Sequence, residues 1–176
     1  VSIELKHIYR QKNEDFIKIL NEIRTDTLSD MSAKILNKNY NPSFSPTKEE
    51  GYITLTTHNN RANLINESEL NKLKIKSSFF KAEISGKFSE NAYPNAERLE
   101  LKVGAQVMFI KNDSSTDKRY YNGKIGIITA ISKETVTVQC PNEPDEIVTE
   151  KETWSNINYS INEETKAIKE EMIGAF

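Results

Sequence analysis

The chain has 176 residues, a formal net charge of −2 at pH 7, 36% hydrophobic and 28% charged residues. These values are typical of a globular protein with a modest core, and this length accommodates one ordinary domain or two small ones. The near-neutral charge excludes a uniformly basic nucleic-acid-binding protein, so any contact with nucleic acid requires a local patch.

The first half of the chain predicts helices and at least one strand. Residues 1–5 alternate apolar and polar, and Asn13 before two acidic residues predicts the start of a helix. A second helix is predicted from near Ser29 to Leu36, before the turn-rich segment 37–46. The apolar side of the first helix carries Phe16, Ile17, Ile19, Leu20 and Ile23.

Residues 52–57 are rich in β-branched side chains and predict a buried strand. Residues 58–60 end it and begin a third helix with Ala62, Ile65 and Leu73 on its apolar face. A strand, a polar turn and a helix form an α/β unit, in which the turn after the strand usually holds ligands.

The second half changes to short strands. Residues 78–84 predict a strand and 86–96 a loop, so we place a domain boundary between residues 85 and 86. Period-two patterns then predict strands at 103–110, 125–131, 135–140 and 146–149. Short, closely spaced strands with polar turns, including Asn122-Gly123, suggest a small barrel.

The segment 162–173 has two interpretations. Its Glu, Lys and Ala content favours an Asn-capped helix, whereas a turn at 163–166 would make it a β-hairpin. Residue propensity alone favours the helix.

The loop between the predicted strands 103–110 and 125–131 combines cations with aromatic rings. Positive charges follow the phosphates of a single nucleic-acid strand and rings stack on its bases, so the loop predicts a single-strand contact. The alternative is a solvated loop with half-buried tyrosines. Residues 143–171 hold nine acidic residues and three lysines, so DNA would lie on another side. The candidate residues are Lys111, Lys118, Arg119, Tyr120, Tyr121 and Lys124.

Residues 99–112 and 121–128 carry a longer pattern, L-x-L-K-x-G-A-x-V-M-x-x-x-N followed by N-G-x-x-G. This pattern resembles the small SH3-like β-domain inserted in the second motor half of RecD-like, superfamily one DNA helicases. The resemblance implies an α+β protein: a partial second RecA-like α/β motor domain over 1–85, followed by a small SH3-like β-barrel over 86–176. It also favours the hairpin at 162–173, because the matching region returns the chain to the motor core.

Two further stretches resemble motifs of that family. Tyr9-Arg10-Gln11 is similar to its fourth motif, which implies that Arg10 is a catalytic arginine finger for a nucleotide bound elsewhere. Residues 56–61 are similar to a stretch that touches the DNA backbone, and the residues concerned are Thr56, Thr57, His58, Asn59 and Asn60. Ordinary surface, strand-end and helix-capping contacts are the alternatives.

The sequence lacks Gly-x4-Gly-Lys-Ser/Thr, the pattern whose backbone N–H groups surround phosphates. We therefore expect this chain alone neither to bind a cofactor nor to hydrolyse ATP. The resemblance implies that the intact protein uses ATP and magnesium to translocate on single-stranded DNA, in DNA repair or recombination. Its partners would be single-stranded DNA and the rest of the helicase chain. Because the family continues past Phe176, we expect a rearranged or poorly ordered first region, with the oligomeric state open.

Other features of the sequence limit the cellular location and the alternative functions. One cysteine and two histidines predict no disulfide and no metal site, which fits a reducing cytoplasm. No apolar run has membrane-spanning length, and no signal-peptide pattern begins the sequence, so we expect no membrane partner. The chain starts at Val1, and we expect it to be a piece of a longer protein. A non-enzymatic SH3-like module that binds a protein or peptide, and a purely structural domain, remain the alternatives.

Overall fold

A computed structural model describes residues 11–47, 50–163 and 166–176. The chain divides into two compact units, Val1–Ser45 and Pro46–Phe176. Helices and strands are both present, so the mixed α and β class is confirmed. The predicted strand at 1–5 and the candidate Arg10 lie outside the described residues.

The first unit contains two of the predicted helices, α1 (Glu14–Arg24) and α2 (Asp30–Lys38). The Asn13 side-chain oxygen accepts a hydrogen bond from the backbone N–H of Phe16 at 2.9 Å, which caps α1 as its sequence predicts. Ser29 caps α2 in the same way. Ile19 is buried, but the rest of the predicted apolar stripe of α1 is largely exposed, with Phe16, Leu20 and Ile23 between 41% and 50% accessible.

The predicted buried strand at 52–57 is wrong. These residues form no strand in the structure, and Ile53 and Leu55 are 50% and 85% exposed. A β-branched sequence becomes a strand only beside a neighbour that pairs with its N–H and C=O groups. No strand in the described part of the chain pairs with 52–57. The third helix, α3 (Asn59–Lys72), follows as predicted.

The described residues of the second unit form nine strands in three sheets, and every pairing among them is antiparallel. The parallel sheet that a RecA-like region would contain is therefore not formed by the described residues. A short 3-10 helix spans Glu90–Ala92. The strands are β1 (Ser78–Lys81), β2 (Ser85–Gly86), β3 (Arg98–Leu101), β4 (Gln106–Met108), β5 (Ile125–Ile131), β6 (Val136–Gln139), β7 (Ile147–Thr149), β8 (Ser155–Ile161) and β9 (Ile168–Ala175).

The four-stranded sheet has the order β4-β5-β6-β7, a meander with two free edges, so the described residues form no closed barrel. Gly126 on β5 permits close packing of β6, because an added Cβ would come within 2.4 Å of Val138 Cγ1. The buried core of this sheet consists of Ala105, Ile128, Val138, Cys140 and Ile147.

Helix α3 is attached to this core at its C-terminal end. Leu70 and Leu73 pack against the core. The buried Lys102 ammonium donates to the carbonyl oxygens of Leu70 and Leu73 at 3.1 and 3.2 Å, which satisfies groups that a helix end leaves unpaired. These contacts cross the boundary proposed at residues 85 and 86, which stays a prediction.

The C-terminal hairpin is confirmed. β8 and β9 pair from Ser155 with Ala175 to Ile161 with Ile168, and β2 adds to the other side of β9. At its base Phe88, Tyr93 and Phe176 form an aromatic cluster, with the Tyr93 and Phe176 ring centroids 4.6 Å apart. The alternating apolar residues of β8 thus outweigh the helix-favouring composition of 162–173.

Candidate nucleic-acid interface

The loop that connects β4 to β5, residues 111–124, is organised around Asp113. This residue is 4% exposed. One carboxylate oxygen accepts from the Ser115 N–H at 2.9 Å and the other from the Arg119 N–H at 3.0 Å. The Asp113 N–H also donates to the carbonyl oxygen of Tyr120 at 3.0 Å. An Asp side chain that bonds to following backbone N–H groups fixes a turn, so this loop holds its own shape.

Asp113 is stabilised in its charged form. The Ser115 hydroxyl, the Ser115 and Arg119 N–H groups and the Arg119 guanidinium together hold the pKa of Asp113 below its usual value, although burial acts in the opposite direction. The Arg119 Nε lies 3.6 Å from the Asp113 carboxylate. This contact orients Arg119 while 43% of its side chain remains exposed.

Two of the predicted DNA-binding lysines are held by protein partners. Lys111 Nζ donates to Glu152 Oε2 and to the Thr153 carbonyl oxygen, both at 2.8 Å. It also lies 4.9 Å from the centre of the Trp154 ring. Lys124, 9% exposed, donates to the Arg119 carbonyl oxygen at 2.7 Å and to Glu143 Oε1 at 2.9 Å. Both ammonium groups therefore brace the loop and are not fully available to a phosphate.

The two predicted tyrosines differ from each other. Tyr120 stacks on Phe109 with ring centroids 4.4 Å apart and packs against the sheet core. Its burial raises the pKa of its phenol. Tyr121 is 62% exposed, because Asn122 and Gly123 turn the chain directly after it. Tyr121 is therefore the ring that a base can reach.

Lys118 completes the outer part of the loop. It has a positive φ of 49°, and its Nζ donates to the Asp113 carbonyl oxygen at 3.0 Å. Lys118 and Arg119 are both exposed. We call Lys118, Arg119 and Tyr121 the loop tip.

The second predicted group lies at the start of α3. The Thr56 hydroxyl donates to the His58 carbonyl oxygen at 3.0 Å, and the Thr57 hydroxyl is 2.8 Å from His58 Nδ1. His58 is the N-cap residue but makes no side-chain capping hydrogen bond, while Asn59 and Asn60 lie exposed in the first turn. Hydroxyl, amide and helix N-terminal N–H groups are thus close together. We call residues 56–60 the helix start.

The structure brings together the residues of the loop tip, and separately those of the helix start. No hydrogen bond or ion pair between described residues joins the two groups. The organising role of Asp113 was not predicted, although an Asp directly before two serines, Ser114 and Ser115, is a local signal for such a turn.

The described residues give no sign of a metal site or of a membrane segment. Within 11–47, 50–163 and 166–176, no three His, Cys, Asp or Glu side chains come together in a way that could hold a metal ion. None of the helices in these ranges is long and apolar enough to cross a bilayer.

Comparison with known proteins shows that the chain is similar to one class of proteins, the ATP-dependent DNA helicases of superfamily one. No family model matches the chain. Within the class, the similar proteins are Pif1 helicases. The chain is 29% identical to human ATP-dependent DNA helicase PIF1 over 141 residues, which are 76% of this chain and 21% of that protein.

Two crystal structures of Bacteroides Pif1 cover nearly the whole chain. The complex with ADP-AlF4 is 33% identical with a TM-score of 0.79, and covers 96% of this chain and 38% of that one. The complex with ssDNA is 34% identical with a TM-score of 0.61, and covers 98% of this chain and 38% of that one. The chain thus spans about a fifth to two fifths of the length of these relatives.

These similarities confirm the predicted resemblance to superfamily one DNA helicases. They do not distinguish a RecD-like branch. The alternative of a non-enzymatic SH3-like module gains no support from them.

Proposed function

We propose that the chain is a segment of an ATP-dependent DNA helicase, and that it carries part of the surface that holds single-stranded DNA. The observation that supports this most is the 33–34% identity to Bacteroides Pif1 over 96–98% of the chain, including a Pif1 structure bound to ssDNA. By this proposal, residues 1–85 begin the second RecA-like motor domain of a RecD-like enzyme, and residues 86–176 form its SH3-like insertion.

The intact protein would use ATP and magnesium to move along single-stranded DNA, in DNA repair or recombination in the cytoplasm. Those activities need residues outside this chain. Arg10 would reach the terminal phosphate of the nucleotide from across the motor cleft, where its charge stabilises the transition state. Within the intact helicase, Arg10→Ala would lower the ATPase kcat much more than the affinity for DNA.

The loop tip would make the first contact with DNA. Lys118 and Arg119 are exposed cations beside an exposed ring, Tyr121. The cations would follow phosphates and the ring would stack on a base, a combination that binds single strands with little sequence preference. Lys111, Lys124 and Tyr120 would contribute by fixing the loop, since each contacts protein groups and is buried or half-buried. Lys118 and Arg119 also contact Asp113 but remain exposed.

The helix start would make the second contact. Helix N-terminal N–H groups and short polar side chains suit phosphate and sugar, and such contacts position a strand without reading its sequence. Asn59 and Asn60 are exposed, whereas the Thr56 and Thr57 hydroxyls already bond to His58. We therefore assign the larger share of this contact to the two asparagines.

The experiment is a fluorescence anisotropy titration of a labelled oligo-dT with this chain at two salt concentrations. The loop-tip variant Lys118→Gln/Arg119→Gln should bind more weakly, and the slope of log K against log salt should fall by about 1.4, since each single-strand phosphate contact contributes about 0.7. The matched control is Lys34→Gln/Lys38→Gln, which removes the same charge from exposed positions on α2. Equal binding by the two variants would contradict the assignment.

A further inference from the structure

A groove in the second unit brings positively charged side chains next to an aromatic ring, as the loop tip does. It lies between the start of β1 and the turn that joins β5 to β6, and has a volume of about 520 Å³. Lys76, Ser78 and Phe79 line one side, and Ser132 and Lys133 line the other. We call these five residues the groove.

The two lysines of the groove are available for a ligand. Lys76 and Lys133 are both exposed. Among the described residues neither forms an ion pair, in contrast to Lys111 and Lys124. Their positions on opposite sides of the groove place two positive charges along one path.

Two of the neighbouring carboxylates have protein partners. Glu100 accepts a hydrogen bond from the Ser77 hydroxyl, and Glu97 pairs with Lys81 at 4.0 Å. Glu134 follows Lys133 in the same turn and is the acidic side chain adjacent to a groove lysine in the sequence. The segment 70–82, which leads into the groove, carries four lysines and no acidic residue.

An aromatic ring and a planar cation lie next to these charges. Phe79 points to the exposed side of β1 and is 49% accessible, although a phenylalanine is normally placed inside. The Arg98 guanidinium carbon lies 4.0 Å from the centre of the Phe79 ring. Arg98 is exposed, so the outer face of its guanidinium is open to a further planar group. Nucleic-acid bases stack on such planes.

We propose that the groove and Arg98 form a third contact for single-stranded DNA, separate from the loop tip and the helix start. Lys76 and Lys133 bind two phosphates. A base stacks on the outer face of the Arg98 guanidinium, whose other face lies against the Phe79 ring. This inference rests on the proposed helicase function, and it extends the path of the strand across the second unit.

Two variants separate the phosphate contacts from the stacking. Lys76→Gln/Lys133→Gln should lower the salt slope of oligo-dT binding by about 1.4 and weaken binding to an abasic oligomer of the same length equally. Arg98→Lys keeps the positive charge but removes the planar guanidinium group. It should weaken binding to oligo-dT about fivefold or more and leave binding to the abasic oligomer unchanged. Lys34→Gln/Lys38→Gln again serves as the matched control.

The possible results separate this inference from the proposed helicase function on which it rests. If the loop-tip variant loses affinity while the groove variants bind like the control, the groove is overturned and the proposed function stands. If Arg98→Lys loses affinity equally for oligo-dT and the abasic oligomer, the stacking contact is overturned. If the unmodified chain fails to bind oligo-dT at low salt, both proposals are overturned.

Discussion

The four-stranded sheet and the helices of the first unit differ in how far their apolar side chains are buried. In the sheet, Ile128, Val138 and Ile147 are 1–3% exposed. In α1, Phe16 and Ile23 retain 41% and 50% of their accessible surface, although their spacing is that of a buried helix face. The sheet therefore completes a core from its own residues, whereas α1 presents an apolar face that its unit does not cover.

Residues 52–57 of the second unit resemble α1 in this respect. Tyr52, Ile53 and Leu55 are 50–85% exposed, and their sequence is that of a strand. Large exposed apolar patches in a protein mark a surface that another element normally covers. By the proposed function, residues 52–57 would belong to the motor domain and the four-stranded sheet to the insertion, so this contrast would fall between two different domains.

The largest expected effect tests this contrast directly. Ile128→Ala removes a fully buried side chain from the core and should lower the free energy of unfolding by about 2–5 kcal/mol. Leu55→Ala removes a side chain of equal size from an 85% exposed position and should change it by less than about 0.5 kcal/mol. Urea denaturation followed by the fluorescence of Trp154, the one tryptophan, measures both. Similar losses would show that 52–57 is packed in solution.

A smaller effect is expected where α3 joins the sheet. Lys102→Met keeps the aliphatic stem but removes the ammonium that bonds to the Leu70 and Leu73 carbonyl oxygens. The Leu70 carbonyl oxygen keeps the Leu73 N–H as a donor. Loss of the ammonium should still lower the free energy of unfolding by about 1–3 kcal/mol and speed amide exchange in the last turn of α3. Lys72→Met is the control, since Lys72 is exposed in that turn and pairs only with Glu69. Equal exchange in both variants would disprove the capping role.

The sequence predicts the strands of the four-stranded sheet better than it predicts the structure of residues 52–57. Strand β5 has the predicted bounds, Ile125–Ile131, because a period-two pattern and an Asn-Gly turn are local signals. The hairpin of β8 and β9 was predicted from the family resemblance, whereas the local residue propensity of 162–173 favours a helix. The prediction of a strand at 52–57 is wrong because a strand needs a neighbouring strand to pair with. No local sequence pattern shows whether such a neighbour is present.

The candidate site shows the same limit at the level of side chains. The exposed position of Tyr121 follows from the turn beside it. The partners of Lys111 and Lys124, Glu152 and Glu143, lie 41 and 19 residues away, so their ion pairs could not be anticipated from the loop sequence. Arg10 stays a prediction, because it lies outside the described residues.

The smallest effect is confined to the loop and depends on pH. Because the pKa of Asp113 is lower in the folded chain than the value of about 3.9 expected when unfolded, its contribution to stability is present above that value. The contribution is lost as the pH falls through the folded pKa. Asp113→Asn should therefore loosen residues 111–124 at neutral pH, and the unmodified chain should approach the variant only below pH about 4.

NMR shifts of the Ser115 and Arg119 amides, which donate to Asp113, measure this change. Asp117→Asn is the control, because its carboxylate is exposed and accepts only from the Thr116 hydroxyl. If Asp113→Asn leaves both amide shifts in place at neutral pH, the carboxylate does not hold the loop. The loop tip would then owe its position to the other bonds of the loop, among them those of Lys111 and Lys124 to Glu152 and Glu143.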